Sequence, residues 1–327
     1  MKNIEKSELL KAAMLELLEE SALDKVVNCA VPANHTPDAT HPRTTLLHVK
    51  FSEDKPQVDR MAGFLWGQCV NYALSRRRRL AFKQKLLDST GADLSEIPNL
   101  VDVVKNVFIK FRKEYPSRAS EVGEVLAYCV AIQHLKAAQM AAKVSLKTSS
   151  NMPVHGLDGI HASVENGVLT IYFLESKLSG SANSGAKEYA ESIAGFLNDE
   201  KQYLHEYSLV GDLGNLDTLE GEARTLALAH FDVMGNPEIQ RRERSVALIC
   251  YSEKKHFKNS IPIADGSPDI HEKHFSENYA KDLDHHQTAA SKHLKNNGVD
   301  PRKCQVFFVA VPDVNKLREK FYEAMGK

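Results

Sequence analysis

The chain has 327 residues, 43% hydrophobic and 26% charged, which describes a soluble globular protein of one large or two modest domains. Its net charge of −1 excludes a protein that coats nucleic acid by bulk charge, since that affinity comes from neutralising phosphates; a nucleic-acid role then needs a local patch or a partner. The first twenty residues are charged and amphipathic, no run of about eighteen apolar residues occurs, and five scattered cysteines form no CxxC pair, so a cytoplasmic protein with no membrane contact and with reduced thiols is expected.

In chain order, the pattern predicts a helix over about 4–20, a loop containing "VPANHTPDATHP", a strand "TTLLHVKF" and a long helix over about 57–87. That helix carries "SRRRRLAFKQK", with Arg76, Arg77, Arg78, Arg79, Lys83 and Lys85 close together. Successive arginines point all round a helix, so a solvated end or a contact with an acidic partner is expected, with a phosphate-facing patch as the alternative. A helix "VDVVKNVFIKFRKEY" runs up to Pro116, and another over about 117–143 is apolar on nearly every side through "VLAYCVAIQHL", which marks it as buried. A β-like "KVSLKT" and the turn "SSNMP" lead into the hairpin "GLDGIHASVENGVLTIYFLESK", then a Gly/Ser-rich turn and a helix "AKEYAESIAGFL". Strands "RSVALICYS" and "KCQVFFVAVP" and a closing helix "VNKLREKFYEAM" follow, with surface loop and helix expected between them over 257–297. This alternation predicts an α/β fold with a mixed sheet flanked by helices.

The hairpin carries the chemistry. Asn166-Gly167 suits a type I′ turn, which needs positive φ at both central residues. If those residues are the whole loop, Glu165 pairs with Val168, and counting outward sets Asp158 across from Glu175 with Lys177 on the same face. Two carboxylates held about 4.5–5.5 Å apart at Cβ repel unless a cation lies between them. A hard divalent ion answers this, using one or two carboxylates with waters and phosphate oxygens, while an adjacent ammonium orients the water. The plain alternative is a surface hairpin with a Lys177–Glu175 salt bridge. Against it, the preceding "LTIYFL" reads as a strand buried on both faces, where emerging charges are costly. A further carboxylate is expected from "SEVGEVLAYC": Glu124 borders the charge-free run and is preferred, with Glu121 as its substitute, and Gly123 permits close approach. First-turn acidity alone also explains either glutamate.

Glu124, "GLD" with Asp158 and "ESK" with Glu175 and Lys177, followed by a helix, resemble the PD-(D/E)xK nuclease superfamily, although the customary proline before the aspartate is replaced in "HGLD". The resemblance implies a restriction-endonuclease-like core over 101–262. A mostly helical N-terminal region with one strand precedes it over 1–100, and a C-terminal loop, strand and helix pack on it over 263–327. It also implies Mg2+-dependent phosphodiester hydrolysis, with Mn2+ as a substitute. More narrowly, "SEVGEVLAY", "HGLDGIHA" and "FLESKLSGSANSGAKEYAES" resemble HamA subunits of Hachiman antiphage defence systems. That implies a DNA endonuclease effector controlled by a HamB-like superfamily 2 helicase, in which Asp158, Glu175 and Glu124 hold the metal and Lys177 positions the nucleophilic water. Ser176 points to the opposite face, and Ser184 and Lys187 open a helix whose N–H groups suit a phosphate, or Ser184 simply caps it. A non-catalytic adaptor that recruits a helicase or DNA is the rival reading, and an RNA-directed nuclease a third, which no aromatic single-strand platform favours.

Other clusters imply less. "HEKHF" and "DLDHHQ" offer His271, His274, His285 and His286 to zinc, but lack the spacing of HExxH or the companion acids of a DHH site. Gly211, Gly214 and Gly221 are too widely spaced to cradle a phosphate.

Overall fold

Three stretches rich in Val, Ile, Phe and Tyr, and a fourth around Leu46-Leu47, are buried on both sides, and such strands belong inside a sheet covered on both faces. The computed structural model, which describes residues 3–32, 40–88, 94, 96–114, 121–141, 156–258 and 266–326, places them there. β2 (Arg43–Val49), β9 (Cys304–Val311), β8 (Arg242–Ser252) and β7 (Val168–Ser179) run parallel and adjacent in that spatial order. β1 (Val27–Val31) is antiparallel to β2 at one edge; β6 (Gly159–Glu165) and β5 (Ala138–Gln139) are antiparallel at the other. The result is a mixed seven-stranded sheet in the order β1-β2-β9-β8-β7-β6-β5. β3 (Phe51–Ser52) and β4 (Lys55–Pro56) form a separate small hairpin.

Alternation along the strands divides the core in two. On one face, Leu174, Leu248 and Phe307 pack with α2 (Val58–Ala73), α5 (Glu121–His134) and α11 (Val314–Ala324), and α4 (Glu96–Glu114) adds Val104 and Phe108. On the other, Phe173, Ile249 and Phe308 pack with α1 (Asn3–Leu17), α6 (Ala182–Asn198) and α10 (Leu283–Asn296), backed by α7 (Glu200–Leu213), α8 (Gly221–Phe231) and α9 (Ile270–Tyr279). The expected α/β class with a mixed sheet flanked by helices is therefore present. Strands from near both ends of the sequence, β2 and β9, lie side by side as inner strands of the sheet, second and third from the β1 edge. α5 is buried at every residue from Glu121 to Ile132, as its lack of a polar face requires.

Three expectations change. The helix expected over 57–87 is two helices, because Leu74 takes extended backbone (φ −103°, ψ 136°) and turns its side chain into the core. α3 (Arg76–Asp88) then restarts with the Arg76 amide donating to Asn215 Oδ1 at 2.8 Å. The 257–297 segment is not merely surface: α9 and α10 bury His271, Phe275, Tyr279, His286 and Leu294 against the sheet. Thirdly, the helix expected from 117 to 143 is described only as α5, ending at His134. The expected "KVSLKT" strand, most of the "VPANHTPDATHP" loop and the "SSNMP" turn lie outside the described residues. Cys69, Cys129, Cys250 and Cys304 are buried free thiols and Cys29 is half-buried. Among the described residues no helix is long and apolar enough to cross a membrane.

Candidate active site

The hairpin register is the one that Asn166-Gly167 specifies. Both residues have positive φ (50° and 77°), Glu165 pairs with Val168, and the ladder continues without a slip to Gly159 opposite Leu174. It breaks at the next residue. The Asp158 amide donates to Leu174 O (2.9 Å), the carbonyl of Gly159's partner, so Asp158 is not paired across from Glu175. Its carboxylate instead accepts the Ser176 N–H and the Ser176 hydroxyl through Oδ2, both at 2.6 Å. This seats Asp158 on the peptide that joins Glu175 to Ser176.

The expected shared face is likewise altered. Glu175 and Lys177 face α6: Lys177 Nζ lies 2.6 Å from Glu175 Oε1 and donates to Ser192 Oγ at 2.9 Å. Ser176 points the other way as expected, toward α5, where a methyl group added to Gly123 would lie 3.2 Å from Ser176 Oγ. Asp158 follows Ser176 toward α5, so the two hairpin carboxylates straddle the strand end instead of facing one another. The cause is local: an aspartate released from the ladder satisfies two donors at once, which a cross-strand position beside Glu175 would not offer.

α5 brings its two glutamates to the same end of the sheet. Glu124 is 3% exposed and accepts the Tyr72 hydroxyl at 2.6 Å; Glu121 is 1% exposed and accepts the Tyr322 hydroxyl at 2.7 Å. Burial pushes the Tyr72 phenol well above its usual range, and the charges of Glu124 and then Asp158 push it further. Tyr72 thus stands in the field of both carboxylates. On the α6 side, burial raises the Tyr189 phenol, with Cys304 and then the Glu175 carboxylate adding to it.

Four groups that sequence reasoning did not assign to the site hold its charges: Tyr72, Tyr322, Ser176 and Ser192. A tyrosine on α2 reaching a glutamate 52 positions away leaves no local signal. Ser184 does not cap α6; Ser181 does, accepting the Ser184 N–H at 3.2 Å, and Lys187 pairs along the helix with Glu191 at 3.8 Å. The histidines are dispersed: His271 is buried beside Phe51, His286 meets the Tyr251 hydroxyl at 3.1 Å, His274 meets Asn278, and His285 is exposed. Among the described residues no three His, Cys, Asp or Glu side chains are grouped to hold a metal ion.

The end of β7 therefore offers hard carboxylate oxygens on both sides of one peptide, an ammonium held at a fixed place, and hydroxyl donors that orient the acids. No curated protein matches the chain. A family model described as HamA matches residues 23–325, nearly the whole length, and the chain accordingly belongs to the HamA family, a component of the Hachiman antiphage defence system.

Proposed function

We propose that the chain is the nuclease effector of its defence system, a Mg2+-dependent DNA endonuclease controlled by a HamB-like superfamily 2 helicase. The observation that carries this reading is the seating of Asp158 on the Glu175–Ser176 peptide, with Lys177 two residues beyond. The donor chemistry fits the ion: carboxylate oxygens suit Mg2+ and Mn2+, and Mg2+ ordinarily takes one or two carboxylates with waters and phosphate oxygens in place of a full protein cage. Asp158 and Glu175 would hold it from the two sides of the strand end, which requires the Glu175 carboxylate to leave Lys177 and swing past that end, with Glu124 assisting on the α5 side, and the ion would polarise a phosphoryl oxygen and make a water more acidic. The chain's own part is positioning. Ser176 fixes Asp158, Tyr72 fixes Glu124, and Ser192 with Glu175 fixes the Lys177 ammonium, which in turn orients water and offsets charge developing on the phosphate. Incubating the full chain with its helicase, plasmid and Mg2+ tests this: Glu175→Gln and Lys177→Ala should each lose at least about a hundredfold in cleavage. Undiminished cutting by both would remove the assignment.

One observation favours a second reading. The Lys177–Glu175 contact is closed at 2.6 Å and no three-ligand group is present among the described residues, which suits a non-catalytic adaptor with a nuclease-like site. Calorimetric titration with Mg2+ separates them: the nuclease should give a binding heat that Asp158→Asn removes, and the adaptor none.

A further inference from the structure

α3 is built against ordinary helix economics. Its first turn is Arg76 to Arg79 with no acidic residue, so four cations sit at the end where the helix dipole disfavours them. Two of them are used inward: Arg79 Nη1 lies 2.7 Å from Glu19 Oε1, and Arg76 donates to the Glu16 carbonyl, fastening α3 to the end of α1. Arg77, Arg78, Lys83 and Lys85 are exposed and form no ion pair among the described residues. No residue of α3 is buried, so packing does not dictate what the outer side carries.

The outer side is divided. At about 100° per residue, Arg77, Arg78 and Lys85 fall within about 100° of one another, while Leu80 and Leu87 lie together on the other flank. Those leucines are 44% and 69% exposed, and Lys83 lies on their side of the helix, apart from the other three exposed cations. A protein-docking face has an apolar centre with charges at its rim, whereas the cationic flank carries only the small Ala81 between its cations, with Asp88 at its far end bonded by Gln84. Its length fits a phosphate backbone: Arg77 to Lys85 spans about 12 Å along the axis, and one DNA strand advances about 3.4 Å per phosphate, so three to four phosphates lie alongside three cations. The position also fits. Tyr72, which holds Glu124, precedes Arg77 by five residues, so the stripe begins within about 18 Å of Tyr72.

We propose that the Arg77, Arg78 and Lys85 flank of α3 is a rail for the DNA phosphate backbone, holding substrate beside the Asp158 and Glu175 end of β7. It supplies locally the positive charge that a chain of net charge −1 lacks overall. The proposal rests on the nuclease reading for its purpose but not for its test.

The test is binding of a short fluorescent DNA duplex to the full chain in EDTA, followed by anisotropy across a salt series. Three phosphate contacts contribute about −2.7 to the slope of log affinity against log salt, or about fortyfold in affinity between 50 and 200 mM. Arg77→Gln, Arg78→Gln, Lys85→Gln together should make the slope shallower by about that amount, with unchanged circular dichroism, since glutamine keeps good helix propensity. If the triple variant unfolds, Arg78→Glu alone should make the slope shallower by at least about 0.9, the share of one contact. An unchanged slope overturns the proposal, as does unchanged DNA affinity accompanied by loss of the helicase from the purified complex, which would make α3 a protein contact. Because no metal is present, the two readings fail separately. DNA held by the stripe but never cut removes the nuclease, and DNA cut with an unaltered slope removes the rail.

Discussion

A buried carboxylate is held in place by the donors it accepts, and Tyr72 is such a donor for Glu124. Tyr72→Phe keeps the ring within its contacts with Phe108 and Tyr128 and removes only the hydroxyl. Glu124 then loses a 2.6 Å hydrogen bond at 3% exposure, and the expected cost is about 1–3 kcal/mol, read as a lower urea midpoint. If Glu124 assists the reaction, plasmid cleavage falls as well, and Glu121, held separately by Tyr322, should not take over. An unshifted midpoint would mean that water replaces the phenol. Part of this site was legible beforehand and part was not. Asn166-Gly167 fixed the turn because only a few residue types accept positive φ, and period-two counting then set the side of Glu175, Ser176 and Lys177. Asp158 escaped the count because a one-residue slip at a strand end is decided by which donors are within reach, here two from Ser176, and sequence carries no trace of them.

Between elements, close approach of α6 to the sheet depends on one residue. Gly185 lies over β8, and a methyl group there would intrude on the Ile249 side chain and crowd Ser179. Both α6 and β8 are anchored along their lengths, so the intrusion cannot be relieved by a small tilt. Gly185→Ala is expected to destabilise by about 1–3 kcal/mol through overpacking. Pairing it with Ile249→Ala should cost less than the sum of the single changes, and simple additivity in urea denaturation would refute direct contact. Elements with a strong period were readable: β7, β8, β9 and α5 are continuous apolar runs that no surface element could carry. The break between α2 and α3 was not, because Leu74 and Arg79 are good helix residues and what ends α2 is distant: a core site for Leu74, Asn215 for the Arg76 amide and Glu19 for Arg79.

At the scale of the molecule, the sheet joins strands from both ends of the chain, and several histidines are buried in or beside it. His48 on β2, His161 on β6 and His286 on α10 are each pushed down to about 4, in every case chiefly by burial. Backbone carbonyls partly oppose this for His48 and His161, and the Asp282 charge does so for His286. The sign follows from where the proton prefers to be. Below about pH 6.5 the unfolded chain protonates these rings while the folded chain keeps them neutral, so acid favours unfolding. Stability is fully present above about pH 6.5 and is lost as pH falls toward 4, at up to about 1.4 kcal/mol per pH unit for each ring. Two shifted carboxylates act outside this window. Asp282 is lowered from its usual value, with burial opposing and the His256 hydrogen bond leading the lowering, and Asp300 is lowered to about 2 by Arg302, so both act at more acidic pH. Urea midpoints taken between about pH 7 and pH 4.5 should therefore fall steadily, and His286→Gln should flatten part of that fall. A curve level down to about pH 5 would mean that water reaches these rings in the folded chain. Because β2 and β9 are adjacent inner strands of one sheet, the loss should appear as a single transition and not as separate melting of the chain's ends.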